Sequence, residues 1–146
     1  MPTRITHFLH HNPVVGTQAV TTALNTSAVH AHDLQANLPR FQKEGRNFRG
    51  IVNGIQVVLT SATSATKVTI RLCEDADGDI VLVPDTEADL VAGITTAATK
   101  CAMFKVDMPM WQDLAGPGNG TLYLFVKVDN ATSSPVFTGS EIFWQE

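Results

Sequence analysis

From residue 51 onward, hydrophobic and polar residues alternate along the chain in short runs. Alternation with a period of two is typical of a strand that has one buried and one exposed face. The runs occupy residues 55–60, 67–72, 102–107, 122–128 and 140–144, with a short apolar run at 80–83. The positions that we expect to point inward are Val68, Ile70, Leu72, Phe104, Val106, Leu122, Leu124, Val126 and Ile142.

Turn-forming residues separate these runs, at residues 61–66, 75–79, 115–120 and 130–135. After Gly50 no stretch of ten or more residues has a convincing helical pattern; the nearest, residues 87–98, is weakened by Gly93 and by Thr95 and Thr96. Crossover helices for a parallel sheet are therefore missing. Many short strands at near-regular spacing predict an all-β fold, an antiparallel β-sandwich of the jelly-roll type.

The first fifty residues have a different character, with weak apolar periodicity and all five histidines of the chain. Residues 28–35 alternate well enough for one strand, residues 16–27 are either extended or loop, and residues 37–50 form a long loop. We therefore expect an irregular, extended N-terminal arm over residues 1–50, followed by the sandwich domain over residues 51–146.

The composition of the chain restricts the classes of function that we expect. A chain of 146 residues is one domain by size. Its net charge of −4 does not favour nucleic-acid binding. No apolar run approaches the ~20 residues that span a bilayer, and no secretory signal is expected. Cys73 and Cys101 are then expected to be free thiols rather than a disulfide.

A basic loop lies within the N-terminal segment, where positions 40–49 hold four of the ten basic residues, interleaved with two phenylalanines. Arginine beside aromatic rings can stack on bases or dock on an acidic protein surface. The alternative is a solvated loop whose phenylalanines anchor it to the sandwich. Because the chain is acidic overall, we favour docking or anchoring. The predicted docking residues are Phe8, Arg40, Phe41, Lys43, Arg46, Phe48 and Arg49.

The sequence DADGD at residues 75–79 resembles the start of a calcium loop, because Asp75, Asp77 and Asp79 alternate as oxygen ligands do. The rest of that pattern fails, since Ile80 stands where the loop needs glycine and Thr86 stands where it needs glutamate. We favour an exposed hairpin turn that is ordered without metal.

His30 and His32 are spaced so that both side chains lie on one side of a strand, with Asp33 beside them. Two imidazoles on one face can begin a metal site, which His10 and His11 would complete. Two exposed histidines on a strand are the favoured interpretation.

Catalytic motifs are missing from the sequence. It contains no GxSxG elbow, no P-loop and no dinucleotide-binding fingerprint. The carboxylates of the acidic stretch between Glu74 and Asp89 look like turn residues in water. We therefore expect a protein that is not an enzyme and that has no cofactor.

The run TKVTIRLCEDADGDIVLVPDTEADLVAGIT and the later run TLYLFVKVDNATSSPVFTGSEIFWQE resemble small virion proteins of tailed bacteriophages. In those proteins a sandwich domain ends in a strand of the form T-G-S-x-hydrophobic-x-W, here residues 138–144. The resemblance covers residues 51–146. It implies a capsid decoration (cement) protein, made in the host cytoplasm, that binds the major capsid protein on the capsid exterior as a homo-oligomer, commonly a trimer. It implies no catalytic residues.

The alternative function is a ligand-binding β-sandwich module of a virion that recognises a carbohydrate or a receptor. Trp111 and Tyr123 discriminate between the two functions. If both rings lie together on an open face, they could stack on a sugar. If both are buried in the core or in a subunit contact, the cement function is favoured.

Overall fold

In the computed structural model, which describes residues 9–34, 47–93, 96–113 and 121–145, nine strands form two antiparallel sheets. The strands are β1 (Leu9–Ala19), β2 (His30–Asp33), β3 (Asn47–Thr60), β4 (Lys67–Cys73), β5 (Val81–Asp89), β6 (Val91–Ala92), β7 (Lys100–Asp113), β8 (Thr121–Val128) and β9 (Val136–Gln145). The predicted all-β sandwich is confirmed. Within those residues no helix is long and apolar enough to cross a membrane.

The strand order is that of a jelly roll. The five-stranded sheet has the order β1-β9-β3-β7-β6, and the four-stranded sheet has the order β2-β8-β4-β5. The last two long strands return to lie beside the first ones, since β9 inserts between β1 and β3 and β8 inserts between β2 and β4. Without the two-residue β6, the remaining eight strands form the double Greek key of a jelly roll.

The core lies between the two sheets, where the inward side chains of both sheets meet. Eight of the nine positions predicted to point inward are buried: Val68, Ile70, Leu72, Phe104, Leu122, Leu124, Val126 and Ile142. The exception is Val106, which is half-buried at the edge of the core. Beside it, Asp107 adopts a φ of 47°, where the β3–β7 register shifts. Trp144 of the terminal motif is fully buried.

The first fifty residues contribute an edge strand to each sheet. β1 pairs with β9 over most of its length, and β2 pairs with β8. The predicted strand at residues 28–35 is present as the shorter β2, whereas β1 was not predicted as a strand. Val20 and Leu34, which flank these strands, are buried in the core. Whether residues 1–50 can be separated from the rest as an arm stays a prediction.

Candidate functional site

The acidic turn at residues 74–80 joins β4 to β5 as a hairpin. The Asp75 carboxylate accepts hydrogen bonds from the backbone N–H groups of Asp79 at 3.1 Å and Ile80 at 2.7 Å. The bond from Ile80, assisted by that from Asp79, lowers the pKa of Asp75 against the opposing effect of desolvation. Asp77 and Asp79 are exposed. The structure therefore uses Asp75 to close the turn, and metal independence of the turn stays a prediction.

The same turn folds back over the outer face of the four-stranded sheet. Gly78, with a φ of 82°, lies so close to Phe125 of β8 that a Cβ atom at Gly78 would be 3.0 Å from the ring. Phe125 points away from the core but is only 3% exposed. The turn thus shields the outward-facing ring of Phe125 from solvent.

His30 and His32 share one face of β2, as predicted, but that face is the inner one. His32 is fully buried, and its Nε2 lies 2.6 Å from the hydroxyl oxygen of Ser140 on β9. Nε2 of His30 is 2.6 Å from the carbonyl oxygen of Val15 on β1, and its ring packs against Phe137. The favoured interpretation, two exposed histidines, is wrong for His32, which is fully buried, whereas His30 is half-buried.

No metal centre is formed by the described parts of the chain, where no three His, Cys, Asp or Glu side chains are grouped to hold an ion. Cys73 and Cys101 are free and lie in different sheets. Cys73 is buried, and its burial raises the pKa of the thiol. The side chains of His10 and His11 lie outside the described residues.

The outer face of the four-stranded sheet is charged. Arg71 and Asp85 form an ion pair at 2.6 Å, and Lys67 pairs with Glu87 at 3.1 Å. In both pairs the hydrogen bond to the carboxylate raises the pKa of the basic group. The prediction that these carboxylates are turn residues in water is wrong for Asp85 and Glu87, which lie in β5 and pair with β4.

The predicted docking residues lie mostly outside the described residues. Of that set, the structure places only the backbones of Phe48 and Arg49, at the start of β3 opposite Gln112 and Trp111 of β7. The side chain of Trp111 is not described. Tyr123 is half-buried in β8, between Ala31 of β2 and Cys73 of β4. Whether the rings of Trp111 and Tyr123 lie together on an open face therefore stays untested.

The outer face of the five-stranded sheet carries a row of apolar side chains beside polar ones such as Gln56 and Lys105. One row of side chains crosses all five strands through direct backbone pairs, Val15 with Gly139, Gly139 with Val58, Val58 with Cys101, and Cys101 with Val91. We call these five residues the apolar row. Val15 is 81% exposed and Val91 is 63% exposed. In the next row, Met103 is 59% exposed. The alternation of the sequence does not distinguish this face from an ordinary solvated one.

A shallow hollow of about 310 Å³ lies further along the same face, lined by Asn53, Gly54, Met103, Phe104, Lys105 and Phe143. It coincides with the irregular pairing of β3, whose register with β7 and with β9 shifts between Val52 and Gly54. Bulges of this kind bend a strand and redirect its side chains. The hollow therefore lies where the backbone pairing is irregular and where Gly54 carries no side chain.

One end of the sandwich is rich in hydroxyl groups and poor in charge; it includes the loops at residues 61–66 and 129–135. Asp129 accepts hydrogen bonds from the backbone N–H groups of Thr66 at 2.9 Å and Lys67 at 3.0 Å. Ser64 and Ser133 bond to each other at 2.8 Å between their hydroxyl oxygens. These bonds fasten the two loops together, and we call this region the hydroxyl-rich end.

Two solved viral structures match this chain with low sequence identity and low structural similarity. The virus-like particle of extra small virus from the giant freshwater prawn Macrobrachium rosenbergii matches with 10% identity and a TM-score of 0.41, over 99% of this chain and 83% of that chain. Desmodium yellow mottle tymovirus matches with 10% identity and a TM-score of 0.33, over 99% of this chain and 89% of that chain. No family model matches the sequence. No curated protein matches it either. The fold assignment therefore depends on the strand order and register described above.

Proposed function

We propose that this protein is a structural component of a virus particle, and specifically a decoration (cement) protein on the outside of a phage capsid. The observation that carries the proposal is the jelly-roll order of its strands, β1-β9-β3-β7 facing β2-β8-β4-β5. Viral capsid domains are a major class of jelly rolls, which also include lectins and cupins. The resemblance of residues 51–146 to tailed-phage virion proteins favours the virion among these classes.

Surface chemistry supports a protein that is covered by neighbours. Only 16% of the residues are charged, against about a quarter in a typical chain. The outer face of the five-stranded sheet exposes Val15, Val91 and Met103, and the hydroxyl-rich end is fastened by its own hydrogen bonds. Surfaces with little charge suit contacts with other proteins, since their burial removes few charges from water.

The proposed anchor on the capsid is the basic region at residues 40–49, whose last residues already belong to β3. The proposed docking residues are Phe8, Arg40, Phe41, Lys43, Arg46, Phe48 and Arg49. The chain leaves β2 at Asp33 and enters β3 at Asn47, so the loop begins at the end of the four-stranded sheet that also carries the acidic turn. Basic side chains there would meet acidic positions of the major capsid protein. The proposed assembly on the capsid is a trimer.

Charge reversal tests the anchor more cleanly than truncation. Deletion of residues 1–46 would remove β1 and β2, and with them the buried Val20, His32 and Leu34. We therefore propose to mix Lys43→Glu protein with particles that lack the wild-type protein, and to measure bound copies against free concentration. The matched control is Lys127→Glu, which makes the same charge change on the outer face of the four-stranded sheet.

We expect Lys43→Glu to weaken binding to particles by about tenfold, and to a lesser degree at high salt, because screening reduces the lost attraction. Lys127→Glu should bind like the wild type. Equal binding by both variants would show that the basic loop is not the anchor. A full-length protein that sediments as a monomer and binds a glycan array would replace this proposal with the ligand-binding module.

A further inference from the structure

The proposed docking through the basic residues of the N-terminal segment leaves open which partner covers each outer face of the sandwich, and the two faces differ. The four-stranded sheet exposes ion pairs, Arg71 with Asp85 and Lys67 with Glu87. The five-stranded sheet instead exposes the apolar row and Met103. An antiparallel sheet that faces water on one side normally alternates apolar-in with polar-out. The apolar face therefore fits a surface that another protein covers.

The apolar row is symmetric about the middle strand of its sheet. Val58 stands at the centre on β3, Gly139 and Cys101 flank it, and Val15 and Val91 end the row. A rotation of 180° about an axis along β3 places Val15 over Val91 of a second copy. The same rotation places Cys101 over Gly139, which lines a shallow hollow together with Pro13 and Gln56, and it places Val58 over itself.

We propose that this face packs against the same face of a second copy of the chain, around a two-fold axis that runs along β3. Such an isologous contact needs a self-complementary surface, which the order Val–Gly–Val–Cys–Val provides. Two sheets packed face to face lie about 10 Å apart with their strands nearly aligned, which this axis allows.

The charges on this face agree with the same axis. Glu141 lies on β9 in the row next to the apolar row, opposite Gln56 and then Met103. Rotation about β3 brings Glu141 over Met103 of the second copy, one row from Lys105 of that copy. Lys105 is well exposed, and its pair with Asp107 is long at 3.4 Å. The rotation thus brings the Glu141 carboxylate of each copy within one row of the Lys105 ammonium group of the other, and the match occurs twice.

The size of the patch predicts a weak contact. A row across five strands spans four gaps, about 19 Å, and two neighbouring rows add about 14 Å in the other direction. The resulting ~270 Å² per copy is well below the ~800 Å² per partner of a standard stable interface. The contact should therefore be transient in dilute solution and strengthen where copies are concentrated. It is independent of the capsid role and of the proposed trimer.

A covalent trap suits a transient two-fold contact, because a residue on the axis meets its own copy. In a Cys101→Ser background we introduce Val58→Cys and treat the protein with a short bifunctional maleimide. The matched control is Ile80→Cys, which is 53% exposed in the acidic turn, away from the proposed face. If Val58→Cys alters the fold by circular dichroism, Gln56→Cys on the same strand and face takes its place.

We expect Val58→Cys to give a covalent dimer at a yield at least about fivefold above Ile80→Cys, and Val15→Lys in the same chain to remove most of it, since buried charges are costly. Ile80→Lys should leave the yield unchanged. The proposal is overturned if the on-axis cysteine gives no more dimer than the control, or if Val15→Lys has no effect on the yield. Because the assay uses no particles, its outcome is separate from that of the capsid-binding test.

Discussion

At Gly78 the backbone conformation by itself favours glycine over every other residue type. Its φ of 82° strains any other residue type, and an added Cβ would press on the Phe125 ring at 3.0 Å. We expect Gly78→Ala to lower the free energy of unfolding by about 1–3 kcal/mol, measured by chemical denaturation. Ala76→Ser, at an exposed position of the same turn, should change it by less than about 0.5 kcal/mol. Equal effects of the two variants would contradict this role of Gly78.

Asp75 shows why a residue pattern can suggest the wrong chemistry. Alternating aspartates are compatible with a calcium loop and with a turn that is closed by one carboxylate. In the sequence, only the absence of the later calcium-loop residues distinguished these two interpretations. In the structure the acceptor oxygens of Asp75 are directed at the N–H groups of Asp79 and Ile80. We therefore expect a chelator to leave the melting temperature unchanged. A drop of several degrees that calcium restores would make the turn a metal site.

Asp129 should make stability depend on pH in acid. Desolvation acts to raise the pKa of Asp129, but hydrogen bonds from Thr66 and Lys67 outweigh it and lower the pKa to about 2. A lowered pKa gives stability that is complete above the unfolded-state pKa of about 3.9 and that is lost as the pH falls through the folded value. Asp129→Asn should therefore destabilise the protein at pH 7.

The same substitution should also flatten the pH dependence between about pH 4 and pH 2, followed by denaturation at several pH values. Asp77→Asn, which removes an exposed carboxylate of the acidic turn, serves as the control. If the wild type and Asp129→Asn lose stability in parallel across this window, the carboxylate does not fasten the two loops of the hydroxyl-rich end.

Among the strands, those with a clean alternation were predictable and those fixed by pairing were not. β4 and β8 each bury every second residue against the core, which local sequence reveals. β1 contains Pro13 and Gly16 and lacks alternation, and it is a strand because β9 pairs with it. β5 extends beyond the predicted apolar run at 80–83 because Asp85 and Glu87 pair with basic residues of β4. Contacts between distant strands override local propensity there.

β8 is central to the four-stranded sheet, and its inward face should tolerate no charge. Val126 is fully buried, with β4 on one side of its strand and β2 on the other. Val126→Asp places a carboxylate in the core and should cost several kcal/mol, enough to unfold a marginally stable domain. Thr86→Asp, at an exposed position of edge strand β5, should keep the fold. A folded Val126→Asp protein, judged by circular dichroism and thermal melting, would contradict the assignment of this face to the core.

The histidines of β2 show which features of the candidate site could not be predicted from the sequence. Their spacing predicted a shared side but not which side, because that depends on how β2 pairs with β8. His32 meets Ser140, which is 108 positions further along the chain. The same limit applies to the apolar row, whose five residues come from five strands and form no local motif.

At the scale of the whole molecule, the outer faces of the two sheets differ in charge, which suggests that they contact different neighbours. The charged outer face of the four-stranded sheet suits contact with water, and the apolar face of the five-stranded sheet suits contact with protein. The alternating runs predicted the jelly-roll sandwich as a class, whereas the return of β8 and β9 beside the first strands is a long-range arrangement with no local signal.

Quantitative mass spectrometry of particles purified from the source tests the claim that the protein belongs to a virus particle. We expect the protein to copurify with the particles through successive gradients, in a constant ratio to the major capsid protein and in many copies. We also expect that protease added to intact particles reaches it, because it lies on the exterior. Particles that are complete and stable without any copy of this protein, in cells that make it abundantly, would contradict the claim.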